Sequence, residues 1–373
     1  MNLVKLKDIS IGQGNYGIGA AAVDYKSNLY KYLRITDINE DGTINENELK
    51  SVEDINAKDY LLKENDICFA RTGNSTGKSF FYDGTIKDLV YAGFLIKFSL
   101  DEKKVNPKYI KYYTLSNKYK NWVKEIQTGS TRGNINAKMY GDLEIELPER
   151  TYQDKVVKIL ETITNKIVLN RHTNNNLYAI ANSLLATDFD SNNNIELLHN
   201  VIKFIKGKKP IEIVNIKNDN FLKYLTIACI NNQEVTYANP EKTIIANNDI
   251  LMVMDGASSG EVYFSDYGIV GSTLAKIDII NDNYTKEYVF FVLKKYSEII
   301  KNKNTGSAIP HTDKAFINTL GIPIIKVENQ EKYKIILDRI QHNLIENINL
   351  ANIRATLLPK LMNGEIDLDK VEI

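Results

Sequence analysis

The stretch QDKVVKILETITNKIVLNRHTNNNLYAIANSLL, residues 153–185, sets the architecture of this 373-residue chain. Within it Val156, Leu160, Ile163, Ile167, Asn170, Asn174, Leu177, Ala181 and Leu184 follow one another at alternating steps of four and three. Two positions per heptad make the narrow seam of a coiled coil, thinner than the apolar face of an ordinary globular helix. A second stretch, QEKYKIILDRIQHNLIENINLANIRATLLPKLM at 330–362, repeats the pattern 177 residues later. There the stripe reads Tyr333, Leu337, Ile340, Leu344, Asn347, Ala351, Arg354, Leu358 and Leu361. Neither helix can hide its stripe alone, so each is expected to cover the other. Asn170 and Asn347 sit in mid-seam, where an amide costs stability but fixes register. At ~1.5 Å per residue each helix spans about 50 Å.

The repeat extends beyond the helices. Tyr32-Leu-Arg-Ile-Thr-Asp-Ile-Asn returns as Tyr224-Leu-Thr-Ile-Ala-Cys-Ile-Asn, an offset of 192. Asn65-Asp-Ile-Cys-Phe-Ala-Arg-Thr-Gly returns as Asn248-Asp-Ile-Leu-Met-Val-Met-Asp-Gly, an offset of 183. Thr128-Gly-Ser-Thr returns as Thr305-Gly-Ser-Ala, and Gln153 as Gln330, both at 177. Falling offsets with unchanged order mean one unit written twice, the first copy carrying longer loops. Each copy is strand-rich first and helical last. Leu29–Ile35, Asp66–Ala70 and Leu89–Phe98 read as strands, Val105–Lys124 as helix, and Leu143–Leu147 as a half-buried strand stopped by Pro148. Leu320–Ile325 is the equivalent strand of the second copy, and the polar run Asp188–Asn194 reads as a link. Pro359 is expected to kink or end the last helix one turn early, because it has no N–H to donate. The boundaries are then 1–150, strand-rich; 151–187, central helix; 188–327, strand-rich; and 328–373, distal helix and tail.

Composition excludes several classes. Apolar residues make up 43% and charged residues 25%, ordinary for a folded soluble chain. Cys68 and Cys229 lie in apolar runs, as small buried hydrophobes in a reducing compartment do. No apolar run approaches a membrane span and the first residues lack a signal-peptide core, so the expectation is cytoplasmic, with no membrane partner. The formal net charge is zero, which argues against a free-standing nonspecific DNA binder. Basic clusters do occur, at Lys118, Lys120 and Lys124, at Lys203, Lys206, Lys208 and Lys209, and at Lys294, Lys295, Lys301 and Lys303.

Two motifs imitate enzymes. Gly73-Asn-Ser-Thr-Gly-Lys-Ser79 looks like a phosphate-binding loop but has three residues between its glycines where four are needed. The second copy also puts Glu261 in place of the lysine. The stretch reads better as a tight turn after a buried strand, exposing Arg71 or Lys78. Asn106-Pro-Lys-Tyr109 resembles the base-clamping motif of amino-methyltransferases, yet lysine replaces the second proline and no glycine-rich methyl-donor motif precedes it. His172, His199, His311 and His342 have no metal-ligand spacing with cysteine or carboxylates. No nucleophile–base arrangement emerges, so the chain reads as a non-enzyme.

Taken together, the order of motifs resembles the DNA-specificity subunit of type I restriction–modification enzymes. The stretches carrying the resemblance are Asn15-Tyr-Gly-Ile-Gly-Ala-Ala-Ala, Tyr32-Leu-Arg-Ile-Thr-Asp-Ile, Asn65 through Lys78, Thr128-Gly-Ser-Thr-Arg-Gly-Asn-Ile, Leu147-Pro148, and the tail Leu357–Leu368. The resemblance implies an α+β chain with two tandem, pseudo-repeated, strand-rich target-recognition domains. Each is followed by a long helix, and the two helices pair as an antiparallel coiled coil. It implies that each domain reads one half of a split, asymmetric site in duplex DNA. The helices would space the two readers and dock two modification subunits. Those subunits would use S-adenosylmethionine to methylate adenine, while restriction subunits add ATP- and Mg-dependent translocation and cleavage. This chain would carry no cofactor.

On this reading the DNA contacts of the first domain are Arg71, Thr72, Lys78, Ser130, Thr131 and Arg132. Those of the second are Lys206, Lys208, Lys209, Ser258, Ser259, Ser307 and His311. Helix pairing falls to Val156, Leu160, Ile163, Ile167, Asn170, Leu177 and Leu184 against Leu337, Ile340, Leu344, Asn347 and Leu358. The competing readings are a non-catalytic coiled-coil scaffold without DNA dependence, and a stand-alone methyltransferase or ATPase.

Overall fold

The computed structural model describes residues 2–129, 133–191, 194–231, 234–305 and 310–370. They form two compact units, Met1–Val168 with Asn347–Ile373, and Leu169–Glu346. In chain order the first strand-rich part holds β1 (Asn2–Lys5), β2 (Asn15–Tyr16), β3 (Ala22–Val23), β4 (Tyr30–Leu33), β5 (Lys50–Val52), β6 (Asp66–Ala70), β7 (Ser79–Tyr82), β8 (Leu89–Tyr91) and β9 (Leu95–Ser99). Three short helices follow, α1 (Pro107–Tyr113), α2 (Asn117–Gly129) and α3 (Ala137–Gly141), then β10 (Glu144–Leu147) and the long helix α4 (Arg150–Ser191). The second part holds β11 (Ile195–Leu197), β12 (Ile202–Lys206), β13 (Ile213–Val214), β14 (Leu222–Leu225), α5 (Ile227–Ile230), β15 (Tyr237–Ala238), β16 (Ile245–Ala246) and β17 (Ile250–Val253). Then come β18 (Val262–Phe264), β19 (Gly268–Val270), β20 (Leu274–Ile279), α6 (Lys286–Asn302), α7 (Lys314–Asn318), β21 (Gly321–Pro323) and the long helix α8 (Val327–Met362).

The two strand-rich parts repeat each other sheet for sheet. The first has a β1–β10 pair, a sheet ordered β2-β9-β6-β7, and a sheet ordered β3-β5-β4-β8 in which β4 and β8 are parallel. The second has a β11–β21 pair, a sheet ordered β12-β20-β17-β18, and a sheet β13-β15-β14-β19-β16 in which β14 and β19 are parallel. β6 explains the layering. All five of its residues are buried, because Ile67 and Phe69 join a core with Tyr109, Tyr140 and Val156. Cys68 and Ala70 join a second core with Leu33, Leu89 and Leu95. A strand covered on both faces reads as an unbroken apolar run. In β17, Ile250 and Met252 go to the core holding Tyr288 and Tyr333, while Leu251 and Val253 go to the one holding Leu225 and Val270. The repeated Asn-Asp-Ile that opens these strands has a backbone reason. Asn65 and Asn248 stand at φ 71 and φ 53, a left-handed conformation that asparagine tolerates better than most residues.

The repeated glutamine also has a physical cause. Gln153 is buried, accepting from the Asn106 N–H at 2.8 Å and donating to the Pro148 carbonyl at 2.8 Å. Gln330 does the same with the Thr285 N–H at 2.7 Å and the Ile325 carbonyl at 3.1 Å. One side chain thereby ties the start of each long helix to the start of the helix packed beside it. Asn106 caps α1, its Oδ1 accepting from the Lys108 N–H, with Pro107 in the first turn. The Asn-Pro-Lys-Tyr motif is therefore a helix start.

Each unit contains half of each long helix, and in both the halves run in opposite directions. In the first unit the Tyr152 hydroxyl donates to the Leu361 carbonyl, and Val156, Val157 and Leu160 share a core with Leu358, Leu361 and Met362. In the second, Ala181 and Leu185 share a core with Tyr333, Ile336, Leu337 and Ile340. Ile167 is buried, Ile163 half-buried, and Leu177 and Leu184 pack half-buried against the second core.

Several sequence expectations shift. Leu344 lies outside the seam, 44% exposed, and Asn343 is buried in its stead. The facing amides are Asn174 and Asn343, with Nδ2 of Asn343 donating to Oδ1 of Asn174 at 2.7 Å. Asn170 instead donates to the Glu346 carboxylate at 2.7 Å, and Asn347 is half-buried. Residues 188–191 belong to α4, where Asp188 is buried and accepts from Lys332 and from the Tyr333 hydroxyl, so this end of the polar run is no link. Pro359 lies inside α8, which continues to Met362 because Leu361 and Met362 are buried in the first core. The run Leu89–Phe98 divides into β8 and β9, and Val105–Lys124 divides into α1 and α2.

Asn174→Ala would leave the Asn343 amide buried without its acceptor, costing about 1–3 kcal/mol. Replacing both asparagines by leucine should recover most of that loss, and urea midpoints of the single and double variants check it. Glu161 gives a second expectation. Burial alone would raise its carboxyl, but Lys111 at 2.8 Å, the Tyr112 hydroxyl and Lys108 overcome this and hold it down at about 2, against an ordinary 4.5. Its folded pKa is depressed, so its contribution is complete above about pH 4.5 and fades as pH falls towards 2. Glu161→Gln should lower stability at pH 6 by on the order of 2–3 kcal/mol and flatten the acid limb of a stability–pH curve.

Candidate nucleic-acid interface

The turn after β6 is built by its glycines. Gly73 and Gly77 adopt φ 70 and φ 90, and a Cβ on Gly77 would sit 2.5 Å from Val123. The Tyr119 hydroxyl donates to the Gly77 carbonyl at 2.7 Å. Gly256 and Gly260 repeat the turn after β17 at φ 105 and φ 92. In each turn the second glycine is packed, Gly77 against Val123 and Gly260 against Ile300, and its N–H donates to the carbonyl of the preceding strand segment, Ala70 and Val253 respectively.

Neither cation expected to project from the first turn is free. Lys78 is drawn in by Glu40 at 2.9 Å and by the Ile38 carbonyl at 3.3 Å. Arg71 is half-buried, its guanidinium 5.0 Å from the Tyr16 ring and 6.0 Å from the Phe94 ring. Among the described residues no acceptor meets its buried Nε. Two aromatic rings flank the fork, the planar cation that stacks on such faces. Beside it the Thr72 hydroxyl donates to Oδ1 of Asn134 at 2.7 Å. Ser130, Thr131, Arg132 and Ser307 lie outside the described residues.

Backbone hydrogen bonds identify the matching positions of the second unit. The Arg71 N–H donates to Phe94 O and the Ile135 N–H to Arg71 O; correspondingly Met254 N–H donates to Thr273 O and Thr312 N–H to Met254 O. The Gly17 N–H donates to Leu95 O, and the Gly207 N–H to Leu274 O. Tyr16 thus stands where Lys206 does, Arg71 where Met254 does, Thr72 where Asp255 does, and Asn134 where His311 does. In this second set Asp255 accepts from Lys206 at 3.1 Å and from Nδ1 of His311 at 2.7 Å. Burial pushes the Asp255 carboxyl up, but its bonds to His311 and Lys206 outweigh that and hold it below the usual carboxylate range. Met254 is buried and apolar, so the guanidinium of the first unit has no counterpart.

Lys208 and Lys209 are exposed, and Ser258 is half-buried. Ser259 is fully buried, its hydroxyl within 2.7 Å of the Gly256 carbonyl and 2.9 Å of the Pro310 carbonyl, and so cannot reach a ligand. Tyr16, Phe94, Asn134 and Asp255 were missed in the sequence. The repeat offsets carried a usable signal, since 183 takes Thr72 to Asp255 and 177 takes Asn134 to His311.

A family model described as type I restriction modification DNA specificity domain matches residues 1–179 and again 194–354. The chain belongs to that family. Over 152 residues it is 34% identical to the type I restriction enzyme MjaVIII specificity subunit of Methanocaldococcus jannaschii, covering 40% of this chain and 35% of that protein. The chain therefore aligns with about a third of that relative's length. The crystal structure of a type-I restriction-modification system S subunit from M. genitalium has the same fold, with TM-score 0.56 and 17% identity over 96% of this chain and 95% of that one. The doubled match agrees with the repeated sheets. Among the described residues no helix is long and apolar enough to cross a membrane.

Ser259→Ala should act on stability alone. It removes the hydroxyl that ties two carbonyls, at a cost of about 1–2 kcal/mol, read as a lower urea midpoint with the fold otherwise retained.

Proposed function

We propose that this chain is the sequence-reading subunit of a type I restriction–modification assembly and performs no chemistry itself. The observation that supports this best is a frame built twice, with identical backbone bonds around positions 71 and 254 and different side chains mounted on it. Two active copies of an enzyme would need the same groups in each. A reader of a split, asymmetric site needs one scaffold and two sets of donors and acceptors, because sequence is read at base edges.

The strand-rich segments 1–150 and 188–327 each take one half of a duplex site. Arg71 and Thr72 lie in the first reading face, and Lys206, Lys208, Lys209 and His311 in or beside the second. The helical segments 151–187 and 328–373 pair as an antiparallel coiled coil and carry two modification subunits. Exposed Ile335, Leu344 and Ile345 on α8 supply apolar surface for such docking. S-adenosylmethionine, ATP and Mg would then belong to the modification and restriction subunits, and the assembly would work in the cytoplasm. The zero net charge fits a subunit whose partners supply much of the phosphate contact.

Co-expression with the modification subunits, followed by genome-wide mapping of methylated adenine, tests this. The expected result is two short specified blocks separated by a fixed unspecified gap. Arg71→Ala should relax one position in one block by about tenfold to a hundredfold and leave the other block unchanged. Methyl transfer to DNA by the purified chain alone would overturn the proposal.

A further inference from the structure

We infer that the Lys206–Asp255–His311 cluster is the base-reading head of the second unit and selects adenine over guanine in the major groove. The inference rests on the proposed DNA-reading function and adds which base the second unit takes.

The cluster is placed for the task by the frame. Lys206 ends β12, Asp255 follows β17, and the 311 backbone is bridged both to 255 and to 305. Lys206 and His311 have more than half of their side-chain surface exposed, at 55% and 52%, while Asp255 between them is largely covered at 25%. A covered carboxylate that braces two exposed groups orients them, and its own oxygens are occupied.

That bracing fixes the chemistry presented outward. An ionised carboxylate only accepts, so the bond from His311 to Oδ1 of Asp255 must carry its hydrogen on Nδ1. In the neutral imidazole Nε2 is then an acceptor. The Lys206 ammonium donates once to Asp255 and keeps further donors. Side by side the head offers one acceptor and one donor. Adenine presents the complement in the major groove, an N6 amino donor beside the N7 acceptor. Guanine presents O6 and N7, both acceptors, and O6 would face the Nε2 lone pair unpaired. The first unit offers the opposite set, because the Arg71 fork is all donors and suits guanine. Met254 removes that fork from the second unit.

The test uses the chain co-purified with its modification subunits and a randomised duplex pool, with bound molecules sequenced. Wild type should enrich two blocks, and His311→Arg should convert one adenine to guanine in the block that Arg71→Ala leaves untouched. The adenine-to-guanine ratio there should move by about tenfold or more. His311→Gln, whose amide can both accept and donate, should keep adenine. Asp255→Asn, which no longer dictates the imidazole tautomer, should bring the preference at that position towards parity. Cooperative melting of each variant confirms folding; if His311→Arg fails to fold, the Gln and Asn variants carry the test. An unchanged base preference in folded His311→Arg and Asp255→Asn variants overturns the assignment. So does loss of the adenine preference in His311→Gln, or a change confined to the block that Arg71→Ala alters. If wild type enriches no sequence, the DNA-reading function itself fails.

Discussion

A helix of some forty residues with two apolar positions per heptad cannot stay in water alone, and the rest of the molecule follows from how that stripe is covered. Each unit covers its part twice. One half of α4 meets one half of α8, and both enter the core of the neighbouring sheet. Val156 and Leu160 lie in the same core as Phe69 and Tyr140, and Tyr333 in the same core as Ile250 and Phe291. The helices are therefore structural walls of the strand-rich parts. Gln153 and Gln330 tie them there by bonding both a carbonyl just beyond a strand end and the N–H that opens the helix packed beside each.

That rigid frame permits divergence at its edge. The bonds around Arg71 and Met254 are between backbone atoms and do not depend on side chains. Tyr16 can become Lys206, Thr72 can become Asp255 and Asn134 can become His311 without disturbing a strand. Duplication followed by change at such positions gives one architecture with two sets of side chains, which the proposed reading of a split asymmetric site requires.

Under the proposed function the electrostatics fit reading more than gripping. The chain has no net charge, Lys78 is neutralised by Glu40, and Lys206 is braced by Asp255. Arg71 is the contrast, held by aromatic rings with no carboxylate among the described residues closing on it. Charges spent on orientation contribute little to nonspecific attraction and much to discrimination between base edges.

The duplication, the two long helices, the buried strand before the Gly73–Ser79 turn and the division into strand-rich and helical parts were legible from the chain, because each is written in local periodicity or in repeated strings. The family followed from the order of those strings. Local patterns failed where a choice depended on a distant neighbour. The seam moved from Leu344 to Asn343 because a straight helix drifts against a strict 3.5-residue repeat, and Asn174 was there to receive the amide. Asp188 looked like linker until Lys332 and Tyr333 met it across the helix pair. Arg71 looked like a free cation until Tyr16 and Phe94 enclosed it. What the sequence determined alone was the repeated pattern of elements; the tertiary structure decided which side chains meet, since Lys206, Asp255 and His311 come from segments far apart along the chain and only sheet pairing brings them together.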